Sequence, residues 1–72
     1  MSDIYSQRYQ KFLRQLRKAR KEAQLTQVDV AVELGKPQSF VAKCESGERR
    51  IDVVELVDFA KIYGKPIDFF LS

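Results

Sequence analysis

Apolar side chains recur near the start of the chain at steps of four and three residues: Tyr5, Tyr9, Phe12, Leu16, Ala19 and Ala23, with Leu13 widening the stripe. This spacing keeps one face of a helix apolar. It predicts a first helix from about Ile4 to Ala23, capped by Ser2 or Asp3, with Arg14, Lys18 and Lys21 on the opposite side. The pattern breaks at Gln24 and Leu25. Thr26 then suits an N-cap, and Asp29 three residues on completes a capping-box arrangement. A second helix is expected over Gln27 to Leu34, burying Val30, Ala31 and Leu34, with Gly35 as its left-handed stop. Pro37 fits the first turn of a third helix reaching about Glu45. Gly47 ends that helix, and Glu48, Arg49 and Arg50 form a polar connection. Asp52 and Glu55 form a strong box opening a fourth helix, with Val53, Leu56, Val57 and Ala60 on one face and Tyr63 a turn further. Gly64 closes it, and Pro66 opens a last turn or two, Ile67 to Leu71, unusually apolar. No segment sustains strand alternation, so the expected fold is all-α, a compact five-helix domain.

Composition narrows the function. Seventy-two residues allow one domain, 1–72, with one modest core. Forty-four per cent apolar and 32% charged content is that of an ordinary folded chain and does not suggest disorder. The lone Cys44 excludes an internal disulfide and a Cys-rich zinc site. Histidine is absent, which removes the commonest general base and the commonest metal ligand together. No acidic pair converges to replace them, so an enzyme is not expected, and neither a metal nor a cofactor is indicated. A polar N-terminus and the lack of a long apolar run point to a soluble, cytoplasmic protein.

The net charge of +3 is a weak signal, but its distribution is informative. Arg8, Lys11, Arg14, Arg17, Lys18, Arg20 and Lys21 hold more than half of the positive charge in one segment. Most of these seven read as a solvated helix face; phosphate attraction fits a minority, nearest the motif that follows.

That motif is a helix-turn-helix over about residues 27–45. Two helices crossing steeply need a small residue where they touch, and Ala31 supplies it. Gly35 permits the reversal between them, while Val30, Leu34, Val41 and Cys44 seal the pair against the other helices. A glycine between two helices would be a weak sign alone; the combination is strong.

Leu25-Thr26-Gln27, Ala31, Leu34-Gly35, Gln38-Ser39-Phe40-Val41, Lys43, Glu45, Gly47 and Asp52 resemble the Cro/repressor-like, or Xre-type, helix-turn-helix regulators. The stretch PQSFVAKCESGERRIDVVE, from Pro37 to Glu55, looks like a bacterial branch of that family, and the likeness covers roughly Leu13 to Leu71. It implies a five-helix fold and transcriptional regulation, often as a homodimer on a palindromic operator. It also implies an ion pair between Glu45 and Arg20, holding the first helix against the third. Three positions depart from the family pattern. Gln24 stands where glycine is usual, Lys36 replaces an apolar residue, and Pro37 replaces a small hydroxyl cap.

The third helix is a sensible base reader. Val41 and Cys44 face inward, which leaves Gln38, Ser39 and Lys43 outward near its N-terminal half. Glutamine pairs with adenine, lysine reaches guanine acceptors, and serine serves base or phosphate. Phe40 either packs on a thymine methyl or shields the start of the fourth helix. Gln27, at the positive end of the second helix, is a phosphate candidate, as are Arg49 and Arg50. Dimer contacts are expected from Ile67, Phe69, Phe70 and Leu71, some of which must also fold back on the first helix. The leading reading is a repressor that grips double-stranded DNA as a homodimer. The alternative is a protein-interaction module, such as an antitoxin, with little DNA contact.

Overall fold

The computed structural model describes residues 6–72. Five helices follow in order: α1 (Gln7–Glu22), α2 (Gln27–Leu34), α3 (Gln38–Ser46), α4 (Val53–Tyr63) and α5 (Ile67–Leu71). α1 packs against α3, α4 and α5, and α2 packs against α3 and α4. Leu16, Ala19, Val30, Val41, Cys44, Phe59 and Phe70 meet at the centre of this arrangement.

Local chemistry fixes most helix ends. The Thr26 hydroxyl accepts from the Asp29 amide while the Asp29 carboxylate accepts from the Thr26 amide. Asp52 and Glu55 make the same reciprocal pair at the start of α4. Each box satisfies two donors that a helix N-terminus leaves without intrahelical partners. Gly35, at φ 66°, stops α2, and the Lys36 amide reaches back to the Ala31 carbonyl. Lys36, where an apolar residue would seal this ending, instead holds its ammonium 5.4 Å from the centre of the Phe40 ring.

Three boundaries and one face differ from expectation. α1 starts at Gln7, because Ser6 is extended and its hydroxyl accepts from the Tyr9 amide. The expected caps Ser2 and Asp3, and with them Ile4 and Tyr5, lie outside the described residues. Pro37 occupies the N-cap of α3 and not its first turn, so that helix begins with no side-chain cap and runs on to Ser46. Leu34 is half-buried. On α4, Val53 is 73% exposed, while Phe59 is fully buried and joins Leu56, Ala60 and Tyr63 as the inward face.

Gln24 adopts φ 60°, the one left-handed non-glycine among the described residues. Its amide and that of Leu25 return to the Lys21 and Arg20 carbonyls, closing α1 as a left-handed stop. A side chain in this conformation costs about 1 kcal/mol. Gln24→Gly is therefore expected to raise the melting temperature by about 4–8 °C, the shift that about 1 kcal/mol produces in a domain of this size. Thermal denaturation followed by circular dichroism checks this, and a fall would show that glycine's extra freedom in the unfolded chain outweighs the relieved strain.

Candidate nucleic-acid interface

Val41 and Cys44 turn into the core and leave the opposite side of α3 in solvent. Gln38, Ser39 and Lys43 are all exposed there. Ser39 and Lys43 are four residues apart, so they stack along one face, and Gln38 flanks them at the N-terminal end.

A chain of polar contacts links this face to the interior. Arg20 Nε donates to Glu45 Oε2 at 2.6 Å and its Nη2 to Oε1 at 3.2 Å, with Arg20 also bonded to the Leu25 carbonyl. Glu45 is 3% exposed and is the buried charged residue of the described chain. The hydrogen bond to Glu45 holds the Arg20 guanidinium above its usual pKa range, outweighing the opposing effect of burial. Gln27 Nε2 donates to Glu45 Oε1 at 3.0 Å, and Gln27 Oε1 accepts from Gln38 Nε2 at 3.3 Å. An amide on the exposed face of α3 is thus tied, through one intervening glutamine, to a buried carboxylate. Both ends of the Gln27 amide are engaged within the protein, so its side chain orients Gln38 and is not freely available to a phosphate. Nothing in the sequence marks this link, because it joins side chains eleven and eighteen residues apart.

Burial, and after it the Glu45 carboxylate, push the Tyr63 phenol above its usual range, so it stays neutral beside this pair. Its Oη finds no hydrogen-bond partner among the described residues. Arg17 Nη1 donates to the Glu45 carbonyl at 2.7 Å, a second tether from α1 to the C-terminal end of α3.

The two connecting arginines have different surroundings. Arg49 grips Glu55 through both nitrogens of its fork, at 2.7 and 2.8 Å, and its guanidinium lies 4.8 Å from the centre of the Phe40 ring. That bidentate bond holds the Glu55 carboxyl below its usual range. Arg49 therefore braces the turn. Half-buried Phe40 lies beneath it, packed on the core. Arg50 is exposed and lies 4.4 Å above the Tyr9 ring, while the Tyr9 hydroxyl accepts from the Ile51 amide. α1 thus holds this loop from beneath, and Arg50 is presented outward.

At the C-terminal turn, Phe70 is 1% exposed and belongs to the core, which withdraws it from the expected dimer patch. Its aromatic ring faces Phe69 edge-on at 5.3 Å and fills space between α1 and α4. Ile67 and Phe69 are half-buried, and Leu71 is 65% exposed. Among the described residues no group of His, Cys, Asp or Glu could hold a metal ion, and no helix is long and apolar enough to cross a membrane.

The family model described as helix-turn-helix matches residues 16–70, from the middle of α1 to α5. No curated protein and no solved structure matches the chain.

Proposed function

From the premise that this chain belongs to the Cro/repressor-like helix-turn-helix family of DNA-binding transcription regulators, we propose that it is a repressor reading the major groove with α3 as a homodimer. The observation that carries this reading is the outward set Gln38, Ser39 and Lys43, with Gln38 anchored through Gln27 to Glu45. A fixed glutamine amide can offer a donor and an acceptor together to an adenine edge, and lysine suits guanine. Arg50 supplies a phosphate contact beside them, while Arg49 and Phe40 keep the turn in shape. Ile67, Phe69 and Leu71 form the patch that joins two copies. Two protomers so joined would set their reading helices about 34 Å apart, one turn of a palindromic operator. The role is regulatory and not enzymatic, and it needs no cofactor.

Selection of bound fragments from genomic DNA, at moderate salt, tests the proposal. The expected outcome is a palindromic motif with half-sites one turn apart. Gln38→Ala/Lys43→Ala is expected to erase the base preference, at about 1–3 kcal/mol for each lost contact. Weak binding without preference, equal in the variant, would replace this reading with that of a module whose partner is a protein.

A further inference from the structure

The charge needed to hold DNA is not on the face that reads it. Gln27, Gln38 and Ser39 are uncharged, and Arg49 is neutralised by Glu55. On that surface Lys36, Lys43 and Arg50 are left as exposed cations without a carboxylate partner among the described residues. Affinity for duplex DNA rests mainly on phosphate neutralisation and counterion release. Three such cations per protomer would be a small supply.

The positive charge is concentrated on α1 instead. Residues 7–21 hold seven cations and no carboxylate, whereas the rest of the chain holds six cations and ten carboxylates. Lys11, Arg14, Lys18 and Lys21 are exposed along the outer side of the helix, with half-buried Arg17 as a shoulder. Arg14, Arg17, Lys18 and Lys21 line a shallow concavity together with Glu22. Glu22, the sole carboxylate of α1, is drawn away by Lys65 at 2.7 Å.

This arrangement works against the helix that carries it. Arg14 and Lys18, and likewise Arg17 and Lys21, are like charges four residues apart, a spacing that destabilises a helix. The first turn contains no acidic residue and carries Arg8, against the sense of the helix dipole. Arg20 and Lys21 in the last turn suit the dipole, and Lys18 attracts Glu22, but helix stability does not account for Lys11, Arg14 and Arg17, whose repulsion a polyanion would relieve. Arg17 also ties the stripe to α3, through its bond to the carbonyl of Glu45 near the end of that helix.

We propose that the cationic outer face of α1, formed by Lys11, Arg14, Arg17, Lys18 and Lys21, binds the sugar-phosphate backbone of the same duplex that α3 reads. α3 supplies discrimination and α1 supplies most of the sequence-independent grip. The inference rests on the DNA-binding reading above and adds a second contact surface to it.

The test is the salt dependence of binding to a duplex of about 40 base pairs carrying the selected motif. Each neutralised phosphate contributes about 0.9 to the slope of log K against log salt. Lys36, Lys43 and Arg50 alone would give a slope of about 3 per protomer, and with α1 engaged it is expected to reach about 6 or more. In Lys11→Gln/Arg14→Gln/Lys18→Gln/Lys21→Gln the slope is expected to fall by about 3, with the preferred sequence unchanged. Arg17 and Arg20 are kept because Glu45 needs them. Removing like-charge neighbours should leave the melting temperature equal or higher, so lost binding would not reflect unfolding. A wild-type slope of about 3 per protomer or less, or an unchanged slope in the variant, overturns the proposal whatever else this face binds. If base preference persists together with an unchanged slope, the α1 inference falls and the reading role of α3 stands. If the slope falls but neither protein prefers that motif to an unrelated duplex, the reading role of α3 falls and α1 stands only as a sequence-independent backbone contact.

Discussion

Glu45→Ala is expected to destabilise the protein by about 3–5 kcal/mol, the cost of leaving a buried ion pair with one partner. The carboxylate is the common acceptor for Arg20 Nε, Arg20 Nη2 and Gln27 Nε2. Alanine would strand all three donors at once, and the Arg20 side chain is only 13% exposed. A chain of this length has a total stability of roughly 4–11 kcal/mol, so the variant should be partly unfolded at ordinary temperatures. Its melting temperature should fall by well over about 10 °C. Glu45→Gln, which keeps the shape and one acceptor but not the charge, should fall between the two. A paired replacement of Arg20 and Glu45 by apolar residues of similar size should recover most of the loss. Thermal melts of the three variants decide the matter. An unchanged melting temperature in Glu45→Ala would mean that solvation of the freed guanidinium matches what the carboxylate provides.

The second large effect is expected at Phe59. Its side chain is fully buried and stacks on Tyr63 with ring centres 5.9 Å apart. Truncation to alanine removes the buried ring and leaves a cavity that the surrounding helices can only partly fill, at a cost of about 3–5 kcal/mol. Val53, on the same helix, is 73% exposed, and its alanine variant should stay within about 0.5 kcal/mol of the parent. Urea unfolding of the two variants gives the contrast directly. Equal midpoints would mean that α4 packs with a different face inward.

The contrast also marks where the sequence is readable and where it is not. The starts of α2 and α4 are legible because Thr26 with Asp29, and Asp52 with Glu55, satisfy backbone donors within four residues. The ends are legible from Gly35, Gly47 and Gly64, and Gln24 betrays its left-handed backbone by standing where glycine is usual. The inward face of α4 is not legible from period alone. Val53, Val54, Leu56, Val57, Phe59, Ala60, Ile62 and Tyr63 are all apolar, so almost every phase of the 3.6-residue repeat is filled. Only packing against α1 and α2 selects Phe59 over Val53. The candidate interface divides in the same way. Outward positions on α3 follow from helical spacing, whereas the difference between Arg49 and Arg50 depends on Glu55, Phe40 and Tyr9, which no local rule brings near them. Phe70 falls in the expected dimer patch because it belongs to the apolar C-terminal turn, in which period alone does not say which side chains fold back; packing against α1 and α4 takes it inside.

Cys44 has a consequence of a different kind. It is the single thiol of the chain, fully buried where α3 meets the core, and desolvation raises its pKa above the usual range. An alkylating reagent needs an exposed thiolate, so it can reach this sulfur only when α3 lifts from α1 and α2. The labelling rate at fixed pH therefore reports how often α3 comes loose from the core. The molecule carries its own clock for that opening, readable with no substitution or attached dye.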